Sequence, residues 1–353
     1  MTTTDDRPTM RITSWFQVGW STDLEVGQVK PLHYFGRDLV AFRDRSGAFC
    51  VLDAHCRHLG ANLAYGGCVT DDGIQCPFHG WVWRPDGTNA HVPYQDRPSK
   101  ARLNAWHTAE ADGVLLVWHD ALQRPPMWSP PPSLQSVAPH LAGKSFHAAG
   151  PGAQTRYERT NVHPQMLLEN AVDPVHFRFV HKTPDIPLVL HEDIDESSWH
   201  SKVGFGRRWS DGVDRPGDEA GTLHLLWSGT GIAYNALTDH ERVMMVLIGC
   251  TPVDDTTTDV FGTYWPEQLA DDAETGRHLT YVEDAKAALP DDLVIWDHQR
   301  YLTRPALATV EGGHWRRLRD WSQKFYPEGE RGPHGIVPPA HLSVLPSFAA
   351  AEH

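Results

Sequence analysis

Cysteine, positive charge and long apolar runs are all scarce in this sequence of 353 residues. The five cysteines are an odd number, which indicates reduced thiols rather than a framework of disulfides. Lysine and arginine number 31 against 45 aspartates and glutamates, so the formal charge is −14. That deficit argues against nucleic acid or an anionic membrane as a partner, because both require clustered cations.

The membrane and the secretory pathway are also disfavoured. The longest apolar run, VMMVLIGC at 243–250, is far shorter than the roughly 20 residues that span a bilayer. The N-terminus, MTTTDDRPTMR, is polar and has none of the apolar core of a signal peptide. We therefore predict a cytoplasmic protein without a membrane span, with residues 1–13 disordered.

Hydrophobic residues make up 40% of the chain, enough for the cores of two domains. Over residues 14–122, short apolar and β-branched runs alternate with turn signals such as DRSG and RPDG, which predicts an all-β domain. A proline-rich segment at 123–140 predicts a stiff, extended linker.

The second half of the chain has a mixed pattern. Residues 141–327 combine five strand-like runs with helical patterns at 271–302 and 312–326, which predicts an α+β domain. The stretch ERTNVHPQMLLENAVDPVHFRFV also predicts helix, interrupted by proline. Residues 328–353, rich in proline and glycine, predict a C-terminal arm.

Three of the five cysteines fall in one stretch, CRHLGANLAYGGCVTDDGIQCPFHGW at 56–81. Cys56 and His58 form C-x-H, and Cys76 and His79 form C-x2-H. Zinc more often uses paired cysteines, or histidines three to five residues apart. Two mixed pairs instead predict a [2Fe–2S] centre in which one iron takes two thiolates and the other two imidazoles. We interpret Cys50, Cys68 and Cys250 as small buried hydrophobes.

A histidine pair in the second half, His176 and His181 in ENAVDPVHFRFVH, is a candidate for a second metal site. About one H-x4-H is expected by chance among 22 histidines. Residues five apart on a regular helix point about 140° apart, but Pro174 disfavours helix at Asp173 and predicts an irregularity. Two histidines and a carboxylate are the ligands of non-heme Fe(II) oxygenases. Spacing alone leaves the carboxylate open among Asp284, Asp291, Asp292 and Asp297.

The loops CRHLG and CPFHGW resemble the ligand loops of the Rieske family. Ala61 and Phe78 stand where respiratory Rieske proteins carry a disulfide, which is typical of the oxygenase branch of the family. Residues 291–326 are most similar to oxygenase components of the 3-ketosteroid 9α-hydroxylase type.

The second candidate site is similar to the Rieske oxygenase signature N-x2-D-x2-H-x4-H. The residues that match it are Asn170, Asp173, His176 and His181. The whole resemblance is to a Rieske non-heme iron oxygenase, so it implies a Rieske [2Fe–2S] domain followed by an α+β helix-grip catalytic domain.

The resemblance also implies which residues hold the cofactors. The implied ligands of the [2Fe–2S] cluster are Cys56, His58, Cys76 and His79. The implied ligands of a mononuclear Fe(II) are His176, His181 and Asp292. Asp292 is chosen because it stands four residues before Trp296, with Asp291 as the second choice.

The implied activity is that of a terminal oxygenase, which uses O2 to hydroxylate a steroid-like or other apolar polycycle. Electrons would come from NAD(P)H through a separate flavin/iron–sulfur reductase. Asp173 would connect His176 to His79 of the partner subunit, which implies a homotrimer. Asn170 would lie near the open iron position.

The strands between 199 and 265 are predicted to line the substrate pocket. They carry a stripe that fits either a pocket or plain core: Trp227, Tyr234, Met244, Met245, Phe261 and Trp265. Three alternatives to hydroxylation remain open from the sequence. They are a desaturase or O/N-demethylase with the same ligands, a Rieske ferredoxin-type electron carrier, and a zinc-stabilised β module with an unrelated binding domain.

Overall fold

The computed structural model describes residues 6–205, 221–239 and 241–338. The N-terminal domain consists of short antiparallel strands, as the alternating runs predict. In chain order they are β1 (Ser14–Trp20), β2 (Val29–Tyr34), β3 (Arg37–Arg43), β4 (Phe49–Asp53), β5 (Cys68–Thr70), β6 (Gly73–Gln75), β7 (Val82–Trp83), β8 (Asn89–His91), β9 (Ala105–Trp106), β10 (Thr108–Ala111) and β11 (Val114–His119).

These strands form three sheets with the orders β1-β11-β10, β2-β3-β4-β9 and β5-β6-β7-β8. The loop that carries Cys56 and His58 follows β4. The loop that carries Cys76 and His79 joins β6 to β7. The two ligand loops predicted from the sequence therefore project from neighbouring parts of one β domain.

The second domain is built on a seven-stranded antiparallel sheet in the described part of the chain, with the order β12-β18-β17-β16-β15-β14-β13. The strands are β12 (Gln154–Thr160), β13 (Leu188–Ile194), β14 (Ser198–Phe205), β15 (Gly221–Ser228), β16 (Ile232–Thr238), β17 (Val243–Pro252) and β18 (Thr258–Pro266). Part of the predicted strand WHSKVGFGRRW, residues 206–209, lies outside the described residues.

Helices cover one face of this sheet. They are α1 (Pro164–Glu169), α2 (Val175–Phe179), α3 (Asp272–Thr275), α4 (Arg277–His298) and α5 (Gly312–Ser322). The stretch from Glu158, predicted as one interrupted helix, begins instead as the end of β12 and becomes helical only at Pro164. Within the described residues, no helix is both long and apolar enough to cross a membrane.

The opposite face of the sheet packs on the N-terminal domain. Because side chains alternate between faces along a strand, Tyr234, Met245 and Trp265 point to the same side. They share one apolar core with Trp15 of β1 and Leu116 of β11. The sheet is thus the middle layer, between the β domain and the helices.

The predicted disorder of residues 1–13 is wrong for residues 6–13, while residues 1–5 lie outside the described part. Ile12 is fully buried, and the backbone N–H of Thr13 donates to the carbonyl of Phe325 at 2.8 Å. The N–H of Thr9 donates to Arg331 at 2.8 Å. The apolar residues Met10 and Ile12 sit among polar neighbours, and their burial fixes this segment against the C-terminal part of the chain.

The stretch 123–140 does not behave as an extended linker. Leu134 and Val137 are buried in the core shared by the two domains, together with Leu141 just beyond. Short 3-10 turns at Leu134–Ser136 and Pro139–Leu141 place these side chains on one side. The apolar spacing of three to four residues within a proline-rich stretch explains the difference.

Of the predicted C-terminal arm, residues 331–336 form a hairpin, β19 (Arg331–Gly332) and β20 (Gly335–Ile336), and residues 339–353 lie outside the described part.

A buried ion pair joins the end of α1 to α5. Arg319 donates to both carboxylate oxygens of Glu169, from Nε at 2.8 Å and from Nη2 at 3.0 Å, and each side chain is only 6% exposed. Glu169 also accepts from the Tyr301 hydroxyl at 3.1 Å and from the Gln165 amide at 3.1 Å. Burial together with this carboxylate raises the pKa of Tyr301 far above its usual range.

We expect Arg319→Met to lower the free energy of unfolding by about 3–5 kcal/mol, because it leaves the Glu169 carboxylate buried without a counter-charge. Urea unfolding followed by tryptophan fluorescence measures the change. Arg316→Met, at an exposed position of the same helix, is the matched control and should change stability by less than about 0.5 kcal/mol. Equal effects of the two substitutions would contradict this account of the ion pair.

Candidate metal centres and substrate cleft

The two ligand loops of the N-terminal domain have the same backbone geometry. In the first, Gly60 N–H donates to the Cys56 carbonyl at 2.9 Å, and Cys56 N–H donates to the carbonyl of Ala61 at 2.9 Å. In the second, Gly80 N–H donates to the Cys76 carbonyl at 3.1 Å, and Cys76 N–H donates to the carbonyl of Trp81 at 2.8 Å. Gly60 and Gly80 have φ of +79° and +72°, a conformation that glycine adopts without strain.

This shared turn brings two thiols and two imidazoles together. Cys56 and Cys76 are 2% and 3% exposed, and burial raises the pKa of Cys56. The rings of His58 and His79 lie edge to face with centroids 4.6 Å apart. The four residues predicted from the sequence therefore lie in one place.

The surroundings of these four residues fit a bound iron–sulfur cluster. His58 Nδ1 is buried and has no hydrogen-bond partner within the described residues, as expected of a nitrogen reserved for a metal. The ring of His58 is held by stacking on Trp81, with centroids 4.7 Å apart and planes 6° apart. Trp83 Nε1 donates to Cys56 Sγ at 3.3 Å, and such a hydrogen bond to sulfur tunes a cluster's potential.

The remaining three cysteines are not among the predicted cluster ligands. Cys50 and Cys250 are buried, and desolvation raises the pKa of each thiol to about 12, which makes both inert. Cys68 is exposed, so its interpretation as a buried hydrophobe is wrong. It occupies the first position of β5, where the short strand leaves its side chain at the surface.

In the second domain, the chain between residues 169 and 181 leaves regular helical geometry. The helix α1 ends at Glu169, and residues 170–172 form a 3-10 turn. Asp173 has ψ of 75°, outside the helical region, as expected before Pro174. The short α2 then ends at Phe179, so that His176 lies on a helix and His181 does not. The break therefore lets two histidines five residues apart approach each other.

The structure brings His176 and His181 together with Asp292 of α4. One nitrogen of each histidine and one carboxylate oxygen of Asp292 all lie within 4.8 Å of one another. His181 Nε2 is 3.3 Å from Asp292 Oδ2. His176 Nε2 is buried without a hydrogen-bond partner among the described residues, while its Nδ1 contacts the carbonyl of Asp173. These contacts fit a metal bound through His176 Nε2.

The geometry also separates the four candidate aspartates. Asp292 is 9% exposed and lies next to both histidines. Asp284 and Asp291 are exposed, and Asp297 accepts the backbone N–H of Asn161 at 2.6 Å. Only Asp292 of these four belongs to the group of donors found in the described residues.

Asp173 lies directly beside the same group. Its carboxylate accepts the backbone N–H of His176 at 3.3 Å. Burial raises the pKa of Asp173, and the neighbouring His176 opposes that shift. Burial likewise lowers the pKa of His176, opposed by its contact with the Asp173 carbonyl. Asp173 therefore contacts His176 directly through both its carboxylate and its carbonyl.

A second His–His–Asp group, which the sequence analysis did not identify, has a different character. His147, His278 and Asp272 also have donor atoms within 4.8 Å of one another. Arg242 Nη2, however, donates to Asp272 Oδ1 at 2.6 Å, and this guanidinium holds the pKa of Asp272 far below its usual range. Because the Asp272 carboxylate is already paired with Arg242, this group links the start of α3 to the residue before β17 and does not offer three free donors.

An apolar cleft opens onto the His176, His181 and Asp292 group. The cavity has a volume of about 190 Å³ and continues into open solvent. Its floor is the helix-facing side of the sheet, including Val203, Leu223, Leu225, Leu237, Met244 and Val246, and α4 closes one wall. Asn170 also lines the cleft.

The aromatic and methionine stripe, which fitted either a pocket or plain core, is mostly core. Met244 lines the cleft, but Tyr234, Met245, Phe261 and Trp265 point to the other face and pack on the N-terminal domain. Trp227 belongs to the core beneath the helices. The residues that form the floor are the alternate positions of the same strands. The two-residue period was visible in the sequence, but the sequence alone does not say which set faces the metal ligands.

Two family models match the chain. A Rieske [2Fe-2S] domain matches residues 14–109, and a 3-Ketosteroid 9alpha-hydroxylase C-terminal domain matches residues 117–326. The chain is 35% identical to a 3-ketosteroid-9-alpha-monooxygenase, oxygenase component, of Rhodococcus rhodochrous, over 90% of this chain and 80% of that protein. It is 25% identical to a Cholesterol 7-desaturase of Hemicentrotus pulcherrimus, over 92% of this chain and 71% of that protein.

Solved structures agree on the fold. Dicamba monooxygenase superposes with a TM-score of 0.63 at 16% identity, over 90% of this chain and 98% of that one. The fold, the two groups of donors and the family matches lead to one conclusion. The chain belongs to the Rieske oxygenase family of monooxygenases, with an N-terminal Rieske [2Fe-2S] domain and a 3-ketosteroid 9alpha-hydroxylase C-terminal domain.

Proposed function

We propose that this protein is a terminal oxygenase that hydroxylates a steroid-like or other apolar polycyclic substrate with O2. The observation that carries the proposal is the apolar cleft that opens directly onto His176, His181 and Asp292. A floor of branched aliphatic side chains favours a rigid hydrocarbon skeleton over a small charged acid. The named relatives that act on 3-ketosteroids support the same substrate class.

We assign the cofactor ligands as follows. The [2Fe–2S] cluster is held by Cys56, His58, Cys76 and His79, and the mononuclear Fe(II) by His176, His181 and Asp292. When bound, these groups supply one-electron transfer and the reductive activation of O2 at ligand positions that the protein leaves open. Two histidines and one carboxylate would hold the iron and would leave other positions on it open for O2.

The chain's own contribution is position and exclusion of water. The cleft wall holds an apolar molecule beside the ligand group, and Asn170 lines the same cleft near His176. We propose that Asn170 lies next to the open coordination position. Asp292 sits on a helix whose neighbouring residues Leu289 and Leu293 are buried, and this packing fixes the direction of its carboxylate.

Electron supply is proposed to involve one exposed patch and two protein partners. Around the ligand loops, large apolar side chains are unusually exposed: Leu59 66%, Tyr65 69%, Phe78 62% and Tyr94 61%. An exposed apolar patch indicates a protein contact. We propose that this patch meets both a separate flavin/iron–sulfur reductase using NAD(P)H and the neighbouring subunit of a homotrimer, in which Asp173 links His176 to His79 of the partner subunit. A cytoplasmic location is part of the proposal, since an odd number of cysteines indicates reduced thiols.

A desaturase is the second candidate function. The same cleft and ligands serve both outcomes, and the observation that favours it is the similarity to a Cholesterol 7-desaturase over 92% of this chain. O- or N-demethylation of another natural product would use the same site. What separates these reactions is which C–H bond the cleft directs toward the metal ligands.

A single-turnover assay tests the function. Purified protein loaded with Fe(II) and reduced with dithionite is exposed to O2 with a panel of 3-ketosteroids, sterols and other polycycles, and products are analysed by mass spectrometry. Hydroxylation adds one oxygen atom, whereas desaturation removes two hydrogens. Cluster oxidation without a product from any steroid would refute the steroid assignment.

Cys56→Ser should abolish the visible absorption of the Rieske cluster, because it replaces one of the two thiolate ligands. Absorption and circular dichroism spectra of the purified protein measure the loss. Cys68→Ser is the matched control, since Cys68 is exposed and outside the ligand loops, and it should retain the full spectrum. A normal spectrum for Cys56→Ser would refute the ligand assignment.

Asp292→Ala should remove the mononuclear iron and leave the cluster intact, so that iron analysis falls from three to two per chain while the visible spectrum is unchanged. His181→Ala should do the same. Asp291→Ala is the matched control on the same helix, where the side chain is exposed, and it should keep all three irons. Iron loss from Asp291→Ala instead would show that the third ligand is misassigned.

Asp173→Ala should retain both metal centres and lose at least about 100-fold in turnover supported by the reductase, since the proposed link between subunits is broken. Metal content, visible spectra and product formation are measured together. Asp173→Asn is the companion variant, because it keeps the size of the side chain but removes its charge. Full activity of Asp173→Ala would refute the proposed electron path.

A further inference from the structure

The floor of the cleft contains one amide among aliphatic side chains. Asn235, in the middle of β16, lies directly opposite Leu225 of β15 and Val246 of β17. All three line the cleft. The flanking positions on the same strand face, Leu223 and Leu237, also line it. A polar side chain at this position therefore lies inside the substrate cleft, with apolar neighbours on either side.

This amide is not satisfied by the protein. Asn235 Oδ1 is buried and accepts no hydrogen bond from the described residues. An unpaired buried amide oxygen is destabilising, so Asn235 Oδ1 is expected to accept a hydrogen bond from a donor that arrives from elsewhere. An asparagine offers two donors and an acceptor, and the surrounding leucines and valine supply none.

Two hydroxyls on the same side of the sheet, those of Thr155 and Tyr264, are not direct neighbours of Asn235. An added Cβ at Gly262 would lie 2.6 Å from the Thr155 hydroxyl and 2.8 Å from the Tyr264 hydroxyl. These two hydroxyls therefore lie close together above Gly262, near the β12 edge of the sheet. The phenol stays neutral, because burial raises the pKa of Tyr264 to about 12. Asn235 lies two strands away, separated by Val246.

We propose that Asn235 is a specificity-determining residue that hydrogen-bonds one oxygen of an otherwise apolar substrate: a substrate hydroxyl donates to Oδ1, or a substrate ketone accepts from the amide NH2. The inference deepens the proposed function, on which it rests. A hydrocarbon skeleton fills the aliphatic floor, and a single oxygen on that skeleton meets the amide. This contact orients the skeleton in the cleft and so selects which carbon faces His176, His181 and Asp292.

The test uses equilibrium dialysis of the iron-loaded full chain without O2, so that binding is measured without turnover. Two ligand series are compared. One contains fluorene, fluorenone and fluorenol, and the other contains an androstene ketone, the matching alcohol and the parent androstene. Wild type should bind an oxygenated member of a series at least about tenfold more tightly than its hydrocarbon.

Asn235→Leu should reduce that preference to about twofold or less, with hydrocarbon binding unchanged or tighter. Asn235→Asp, which keeps an acceptor but loses the donors, should lose ketone binding and keep alcohol binding. Leu237→Ala is the matched control, because it removes apolar contact and should weaken all members of a series equally. Melting temperature and iron content are measured for each variant to establish that it folds.

Three results would overturn the proposal: equal binding of hydrocarbon and oxygenated ligands by wild type, equal weakening of every ligand by Asn235→Leu, or no binding of either series. A different result separates it from the proposed function. If only the fluorene series binds, and its preference is lost in Asn235→Leu, the steroid substrate class fails while the role of Asn235 stands.

Discussion

The buried ion pair between Glu169 and Arg319 is the contact on which the second metal-ligand group depends. A charge removed from water is stable only while its partner is in place, so the end of α1 is fixed to α5. Asn170 and Asp173 follow at once, and the break before Pro174 redirects the chain so that His176 and His181 approach Asp292. The Glu169–Arg319 ion pair thus fixes the backbone that leads to the metal ligands, although neither of its side chains lines the cleft.

The parts of the site that the sequence predicts are those in which the constraint is local. Cys56, His58, Cys76 and His79 lie in two short loops with the same turn, and the structure places them together. The pairing of His176 with His181 required knowing that Pro174 breaks the helix, which is again a local effect. Asp292 is more than a hundred residues away, and only the family resemblance distinguished it from Asp291. The family matches confirm the resemblance to this family.

The errors of the sequence analysis have one common physical origin. Leu134 and Val137 looked like linker residues, and residues 6–13 looked like a disordered terminus. In each case the local pattern is right about polarity, but burial depends on a surface supplied by a distant part of the chain. For Leu134 and Val137 that surface is the core shared by β1, β11 and the large sheet, and for Ile12 it is the core beneath the helices. The sequence of a short local segment does not specify such a distant surface.

The strict alternation of the central sheet has an evolutionary consequence. Asn235, Leu223 and Leu237 can change to suit a new substrate without altering Tyr234 or Ala236, which hold the domains together from the other face. Substrate range and domain assembly are therefore inherited as nearly independent traits on the same strands. This independence offers a physical reason why one scaffold serves relatives named for a monooxygenase and for a desaturase. It also marks the helix-facing positions as the ones to randomise in directed evolution.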